Sequence, residues 1–352
     1  MSIFSRRKSD PRKVWDDNNP QADDNLSIPP YEMASETPSE ILGDIAAHEN
    51  SRQAGIEKAK FEKLNNTLNK DIDENFQNAA IPQCWAFMGA VGGVGTTSLA
   101  VQLAYELAKL QKTPIRASRI APEPQVCLID LDFESGRTTH HLDIKPNLSI
   151  EDLNNDALQI DVDYTKSLMS HHKSGMSVLA APNLINGNAK VETQTVLALL
   201  DAACDLYPYV ILDLPTHWQA WSMAAIGGSD FTGLVTDMTI PSLHVTQSKY
   251  MQLHEMFKSE KSFQIILNKY EKRSFKRTLT LSDVQMALSQ NIFETLCNDS
   301  DVIRKALNSG EPIGAIKSDS RYAKDSRKLL NKILAMKQIA KRHSTVVNEA
   351  AA

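Results

Sequence analysis

The chain has 352 residues, 42% hydrophobic and 23% charged, enough apolar material for one large α/β domain with a tail or for two or three average domains. It holds no apolar run of eighteen residues, which predicts no spanning helix, and the basic cluster at residues 6–13 is followed by no apolar stretch of the kind a secretory signal needs. The net charge of −5 resides in residues 1–80, with 10 basic and 15 acidic side chains; residues 81–352 carry 28 of each and offer no bulk positive field for nucleic acid.

Residues 1–40 read as a disordered tail. They hold five of the fifteen prolines and few large apolar residues, and residues 16–49 contain acids without a single Lys or Arg, directly after the basic cluster. Residues 41–80 read as a helical segment, in which Phe61, Leu64, Leu68, Ile72 and Phe76 recur at steps of three and four to form one apolar stripe. That stripe suits packing on the body of the protein or binding a partner.

From residue 84 onward, short apolar runs alternate with helical stretches. Cys84–Gly89 (CWAFMG) is a candidate first strand, followed by a helix from Thr97 to Leu110 with Leu99, Leu103, Leu107 and Leu110 on one side. Val126–Leu131, Ser177–Ala180, Tyr209–Leu212, Gly233–Thr236 and Phe263–Leu267 are further buried-strand candidates. Near-continuous apolar strands separated by helices predict a doubly wound α/β fold, with a mostly parallel sheet covered on both faces. The domain spans 81–345 in this reading, with 346–352 as a disordered C-terminus. Its closing stretch, Arg321–Arg342, is amphipathic and basic, with Lys324, Arg327, Lys328, Lys332, Lys337, Lys341 and Arg342 around Leu329, Leu330, Ile333 and Met336. The fold's own last helix is the preferred reading; a helix lying on anionic lipid is the other.

The chemistry-bearing segment is Gly89–Ser98, GAVGGVGTTS, between the first strand and the first helix. Glycines let consecutive backbone N–H groups point into one concavity, and a helix N-terminus adds partial positive charge, so such a turn suits phosphate. A Walker A loop, GxxxxGK[ST], has Lys after its last Gly and then a hydroxyl for magnesium; here Thr96 stands at the lysine position and Thr97 supplies the hydroxyl. Two strands then end in acids: Val126–Asp132 closes with Asp130-Leu131-Asp132, and Tyr209–Pro215 (YVILDLP) carries Asp213. Ligands of open α/β sheets bind beyond the carboxyl ends of the strands. Loop and acids should therefore converge there, where an acid can serve Mg²⁺ or orient water.

GAVGGVGTTS, LIDLDFESG and YVILDLP resemble the deviant Walker A, Walker A′ and Walker B motifs of the MinD/ParA superfamily of P-loop ATPases. The order of the segments over roughly 84–340, including HWQAWSMAAIGGSD at 217–230 and ILNKY at 266–270, is similar to the CpaE/TadZ branch, which helps assemble and position Tad (Flp) pili. The resemblance does not extend to residues 1–80. It implies a nucleotide site for ATP and Mg²⁺ formed by Gly92, Gly93, Val94, Gly95, Thr96, Thr97 and Ser98, with Asn268 at the adenine. It implies Thr97, Asp130 and Asp213 as the metal residues and Asp132 as the residue that orients attacking water.

The departures from the family pattern fall on the chemistry. The signature lysine would be at position 91, and this chain has Val91; the second would be at 96, and this chain has Thr96. The resemblance thus implies a cytoplasmic, polar, homodimeric scaffold that binds ATP weakly, hydrolyses it weakly or not at all, and works with a pilus secretion ATPase or other pilus assembly proteins. Peripheral association with the inner membrane stays open, and nucleic acid is not an expected partner. The alternatives are an active MinD/ParA-type ATPase cycling between dimer and monomer, in which Arg116, Arg119 or Arg137 replaces the lysine charge, and a partition-type ATPase. Four cysteines far apart, Cys84, Cys127, Cys204 and Cys297, exclude a cysteine-rich metal or cluster site.

Overall fold

The computed structural model describes residues 83–110, 124–134, 136–149, 152, 160–182, 191–257, 263–271 and 279–350, the last fourteen by backbone alone. The expectations for residues 1–80, for 351–352 and for Arg116 and Arg119 lie outside the described residues.

The strands are β1 (Gln83–Gly89), β2 (Val126–Asp130), β3 (Ser170–His171), β4 (Ser177–Leu179), β5 (Tyr209–Leu214), β6 (Phe231–Thr236), β7 (Phe263–Tyr270) and β8 (Ile292–Cys297). They form one eight-stranded sheet in the order β3-β4-β2-β5-β1-β6-β7-β8, parallel except for the short edge pair β3–β4. The helices are α1 (Thr96–Leu110), α2 (Arg137–Leu142), α3 (Val162–Leu168), α4 (Thr193–Leu206), α5 (Ala220–Gly228), α6 (Ile240–Met256), α7 (Leu281–Leu288), α8 (Ser300–Ser309), α9 (Ile313–Ile316) and α10 (Arg321–Ala350). The doubly wound fold read from the sequence is the observed one.

The physical cause is visible in β1, whose seven residues are all buried. Cys84, Ala86 and Met88 join a core with Leu199, Leu200 and Ala203 of α4 and Ala225 and Ile226 of α5. Trp85 and Phe87 join the opposite core, with Leu99, Leu103 and Leu107 of α1. A strand buried on both faces has no polar side to show, hence the unbroken apolar run. Each fully buried Leu of α1 contributes about 1.5–3 kcal/mol. Leu110, at the helix end, falls outside the core and is exposed.

The closing helix α10 belongs to this second core, which takes its Tyr322, Leu329, Leu330 and Ile333. Its basic side chains answer buried carboxylates: Arg327 pairs with Glu106 at 2.9 Å, and Lys328 and Lys332 pair with Glu294 of β8 at 2.9 and 3.0 Å. Of the predicted stripe, Leu329, Leu330 and Ile333 are buried in the fold, as the preferred reading expects, while Met336 is exposed. No helix among the described residues is long and apolar enough to cross a membrane.

Chain order places the site. From β1 the chain crosses β5's later position to reach β2, fills that side of the sheet, inserts β5 beside β1, and only then moves to β6 on the other side. The carboxyl ends of β1, β2 and β5 therefore meet where the winding reverses, the place open α/β sheets bind ligands.

Candidate functional site: a lysine-free glycine loop

β1 ends at Gly89 and the next residues turn back into the N-terminus of α1. The turn is rooted by the Ala90 N–H, which donates to the Val235 carbonyl of β6 at 2.8 Å. Gly93 and Gly95 sit at φ +81° and +91°, left-handed backbone that a side chain disfavours. Gly95 has a second constraint, since a Cβ there would stand 2.6 Å from the Asn268 amide nitrogen. Outside the loop, the Asn268 amide donates to the Val94 carbonyl at 2.8 Å and the Lys269 ammonium to the Gly93 carbonyl at 2.6 Å. In a trans peptide the carbonyl and the N–H point in opposite directions. Fastening these two carbonyls on the outer side therefore turns the N–H groups of Val94 and Gly95 inward.

Inward lies a cavity of about 240 Å³ lined by the loop, by the first residues of α1 and by two acids. The loop side is Val91, Gly92, Gly93, Gly95, Thr96, Thr97 and Ser98; the acids are Asp132 and Asp213. Arg137 and His141 of α2, with Leu214, Thr216 and His217 after Asp213, complete the wall. Of the residues read from the sequence, Gly92, Gly93, Gly95, Thr96, Thr97, Ser98, Asp132 and Asp213 are brought together here.

Val94, Asp130 and Asn268 stand behind the cavity wall. Val94 is buried in the core. The Asp130 carboxylate accepts the N–H groups of Asp132 at 3.0 Å and Thr138 at 2.9 Å, which fixes the turn from β2 into α2. Burial pushes its carboxyl up to about 6, against the pull of those two donors. Asn268 is 2% exposed and holds the loop from outside through Val94.

Asp213 is the anomalous group. It is register partner of Asp130 across β5 and β2 and is 2% exposed. One of its oxygens, Oδ2, has no hydrogen-bond partner. Burial raises its carboxyl well above the usual carboxylate range, the Asp130 charge raises it further, and only the Thr97 hydroxyl and the more distant Arg137 work the other way. A buried orphan carboxylate oxygen costs about 1–3 kcal/mol, and a cation against it removes that cost. A magnesium ion fits this donor set: the Asp213 carboxylate and the Thr97 hydroxyl would hold it. Among the described residues no cluster of three His, Cys, Asp or Glu side chains could hold a metal alone. Mg²⁺ does not need one, since it retains waters and takes substrate phosphates as ligands.

The sequence reading passed over the histidines. His141 Nδ1 lies 2.8 Å from the Arg137 carbonyl and Nε2 lies 3.1 Å from the Ser98 hydroxyl. A carbonyl only accepts, so Nδ1 carries the proton and Nε2 accepts from Ser98. Burial lowers the His141 pKa and favours this neutral form. His217 pairs with Glu134 at 2.9 Å and ties the turn after β2 to the turn after β5 at the rim. The pair His140-His141 and the His217 that follows the β5 motif were the available signals, but spacing alone ties neither to the loop.

Comparison with known proteins gives structural likeness only: no family model and no curated protein sequence matches the chain. Among solved structures, a ParA family ATPase from Chlorobium tepidum is similar at 19% identity and TM-score 0.59, over 70% of this chain and 98% of that one. The septum site-determining protein MinD from Pyrococcus horikoshii, complexed with Mg-ADP, is similar at 18% identity and TM-score 0.57, over 72% and 96%. A plasmid partition protein from Borrelia burgdorferi bound to AMPPNP follows at 16% identity and TM-score 0.52, over 72% and 99%. The chain has the P-loop fold of the MinD and ParA ATPases, with the cavity at the carboxyl ends of β1, β2 and β5.

Proposed function

We propose that this protein is a nucleotide-binding scaffold of the CpaE/TadZ kind, which binds ATP with Mg²⁺ weakly, turns it over little or not at all, and acts as a homodimer that positions Tad pilus machinery at the cytoplasmic face of the cell pole. The observation that carries the nucleotide part is a glycine-rich turn at a helix N-terminus lining a cavity beside the unpartnered carboxylate oxygen of Asp213. Neighbours of the same fold carry Mg-ADP and AMPPNP. The cavity of about 240 Å³ is small for a whole nucleotide and suits its phosphate end.

The weak-turnover part rests on what stands at the lysine positions. Val91 and Thr96 both line the cavity and neither carries charge. Phosphoryl transfer is catalysed mainly by positioning and by charge neutralisation, so the loop retains the first and has lost much of the second. In this reading Gly92, Gly93, Gly95, Thr96, Thr97 and Ser98 bind phosphate through backbone and hydroxyl groups. Magnesium would neutralise phosphate charge at Thr97 and Asp213, while Asp130 holds the β2–α2 turn from the second layer. Asn268 seats the loop through Val94, and its adenine contact in the family stays a proposal here.

Asp132 favours a second reading. It lines the cavity and its charge acts on Asp213, and an active ATPase cycling between dimer and monomer would use it to orient attacking water. Calorimetric titration with Mg·ATP, run beside phosphate release, separates the two. Binding without release supports the scaffold; release abolished by Asp132→Ala supports the ATPase; no binding at all refutes both.

A further inference from the structure

The phosphate loop has no cation of its own, yet a lysine from a distant helix ends beneath it. Lys249 lies midway along α6, 160 residues after the loop begins. Its ammonium donates to the Gly89 carbonyl at 3.2 Å and to the Thr216 carbonyl in a shorter contact. Gly89 is the root of the phosphate loop, and Thr216 lines the cavity just beyond Asp213 and Leu214. The amine thus bridges the root of the loop and the turn after β5.

Two features separate this lysine from an ordinary surface one. It is half-buried, and among the described residues no carboxylate pairs with it. Burial alone lowers its pKa to about 8. An ammonium has three donors, and carbonyls take two. A half-buried cation without a carboxylate partner, bonded to the carbonyl of the cavity-lining Thr216, favours an anion in the cavity next to it. Lys269, an exposed lysine whose charge also acts on Asp237, is a second cation at the loop: its backbone is left-handed at φ +54°, a strained conformation for lysine, and its ammonium donates to the Gly93 carbonyl.

We propose that Lys249 is the surrogate cation of this nucleotide site, a positioning residue that holds the loop root and the turn after β5 together and supplies, from α6, the positive charge missing at Val91 and Thr96. The proposal rests on the nucleotide reading above and adds to it where the charge for the phosphate end comes from. The ligand is the polyphosphate of a nucleotide, and pyrophosphate alone should suffice as a probe. Lysine in the loop and lysine beneath it are then alternatives, so the benefit of restoring one depends on the absence of the other.

The test is a double-substitution cycle on the full chain: wild type, Lys249→Met, Lys249→Arg, Thr96→Lys and Lys249→Met combined with Thr96→Lys. Binding of Mg·ATP and of pyrophosphate is followed by tryptophan fluorescence, Trp218 being adjacent to His217 of the cavity wall, with a melting curve for each variant. Lys249→Met should weaken both ligands about tenfold or more, Lys249→Arg should keep most of the affinity, and Thr96→Lys should restore the Lys249→Met variant by more than it improves the wild type. Wild-type affinity in Lys249→Met overturns the inference and leaves the nucleotide reading standing. An affinity loss that neither Lys249→Arg nor Thr96→Lys recovers marks a merely structural lysine and also overturns it. A wild-type chain that binds neither ligand overturns the nucleotide reading and the inference together. Amide hydrogen exchange at Gly92–Thr97 without ligand covers the case of an unfolded Lys249→Met: Lys249→Gln should open the loop amides, and unchanged protection contradicts the clamp.

Discussion

Replacing Asp213 by asparagine should stabilise the ligand-free protein while removing its response to magnesium. Asp213 and Asp130 are register partners, 2% and 0% exposed, and one Asp213 oxygen is unpartnered. Burial raises Asp130 from 3.8 to about 6, and at 1.36 kcal/mol per pKa unit this alone corresponds to roughly 3 kcal/mol of lost stability at neutral pH. Asp213 is displaced in the same direction, and the two titrate as a pair. A carboxyl raised in the folded state binds more protons folded than unfolded, so stability falls as pH rises from the ordinary carboxylate range through the raised values. Asp213→Asn removes one of the two charges and keeps an acceptor for the Thr97 hydroxyl. It should gain about 1–3 kcal/mol at pH 7.5, or ~2–4 °C per kcal/mol in a domain of this size. Urea denaturation of both proteins at pH 5 and pH 7.5 reads this, and the gain should shrink at pH 5, where the wild-type pair takes up a proton. A less stable Asp213→Asn, or a gain independent of pH, would refute the unpaired-carboxylate argument.

Four other outcomes are expected. Thr96→Lys in the wild-type background should tighten Mg·ATP; one charge-assisted contact, about 1.5–3 kcal/mol, caps the gain at ten- to a hundred-fold, and an unchanged calorimetric constant counts against the loop's assignment. Gly95→Ala should cost about 1–3 kcal/mol in urea denaturation and weaken ATP, because φ is +91° and Asn268 occupies the Cβ position; an unchanged midpoint would show that the loop relaxes. Sedimentation velocity should show the proposed homodimer with and without ATP, since neither Val91 nor Thr96 carries a charge that would tie an interface to bound phosphate, and a strictly monomeric apo protein contradicts this. Removing residues 1–80, whose basic and acidic charges are segregated ahead of the 61–76 stripe, should shift the melting temperature by only a few degrees and abolish polar focus of a fluorescent fusion; a large loss of thermal stability would make that stripe structural.

What the sequence disclosed follows burial. β1, β2, β5 and β7 are apolar runs because both their faces are covered, and such runs are conspicuous. β8 reads IFETLC, with two polar residues in six at the sheet edge, and its Glu294 becomes intelligible only once Lys328 and Lys332 of α10 are seen against it. β6 begins at Phe231 rather than Gly233, since FTGLVT mixes a glycine and two threonines into a buried strand. The loop and its acids were legible because each lies at the end of a strand, within a few residues of a recognisable pattern. Their division of labour was not: Asp130 and Asp132 are two positions apart, yet one carboxylate is spent on backbone N–H groups and the other lines the cavity. Arg137 is one of three arginines, with Arg116 and Arg119, that the sequence offers as charge donors, and only the packing of α2 brings it to the cavity wall. Lys249 left no local signal, because its meaning depends on α6 crossing beneath a loop far upstream in the chain.

Whether the lysine-free loop binds ATP and leaves it intact can be read from ³¹P NMR of ATP and Mg²⁺ mixed with the full-length protein. The β- and γ-phosphate resonances should shift or broaden with added protein and persist over hours, with no matching growth of ADP and inorganic phosphate. Steady conversion to ADP and phosphate would contradict the scaffold reading, and resonances unmoved by the protein would contradict nucleotide binding itself.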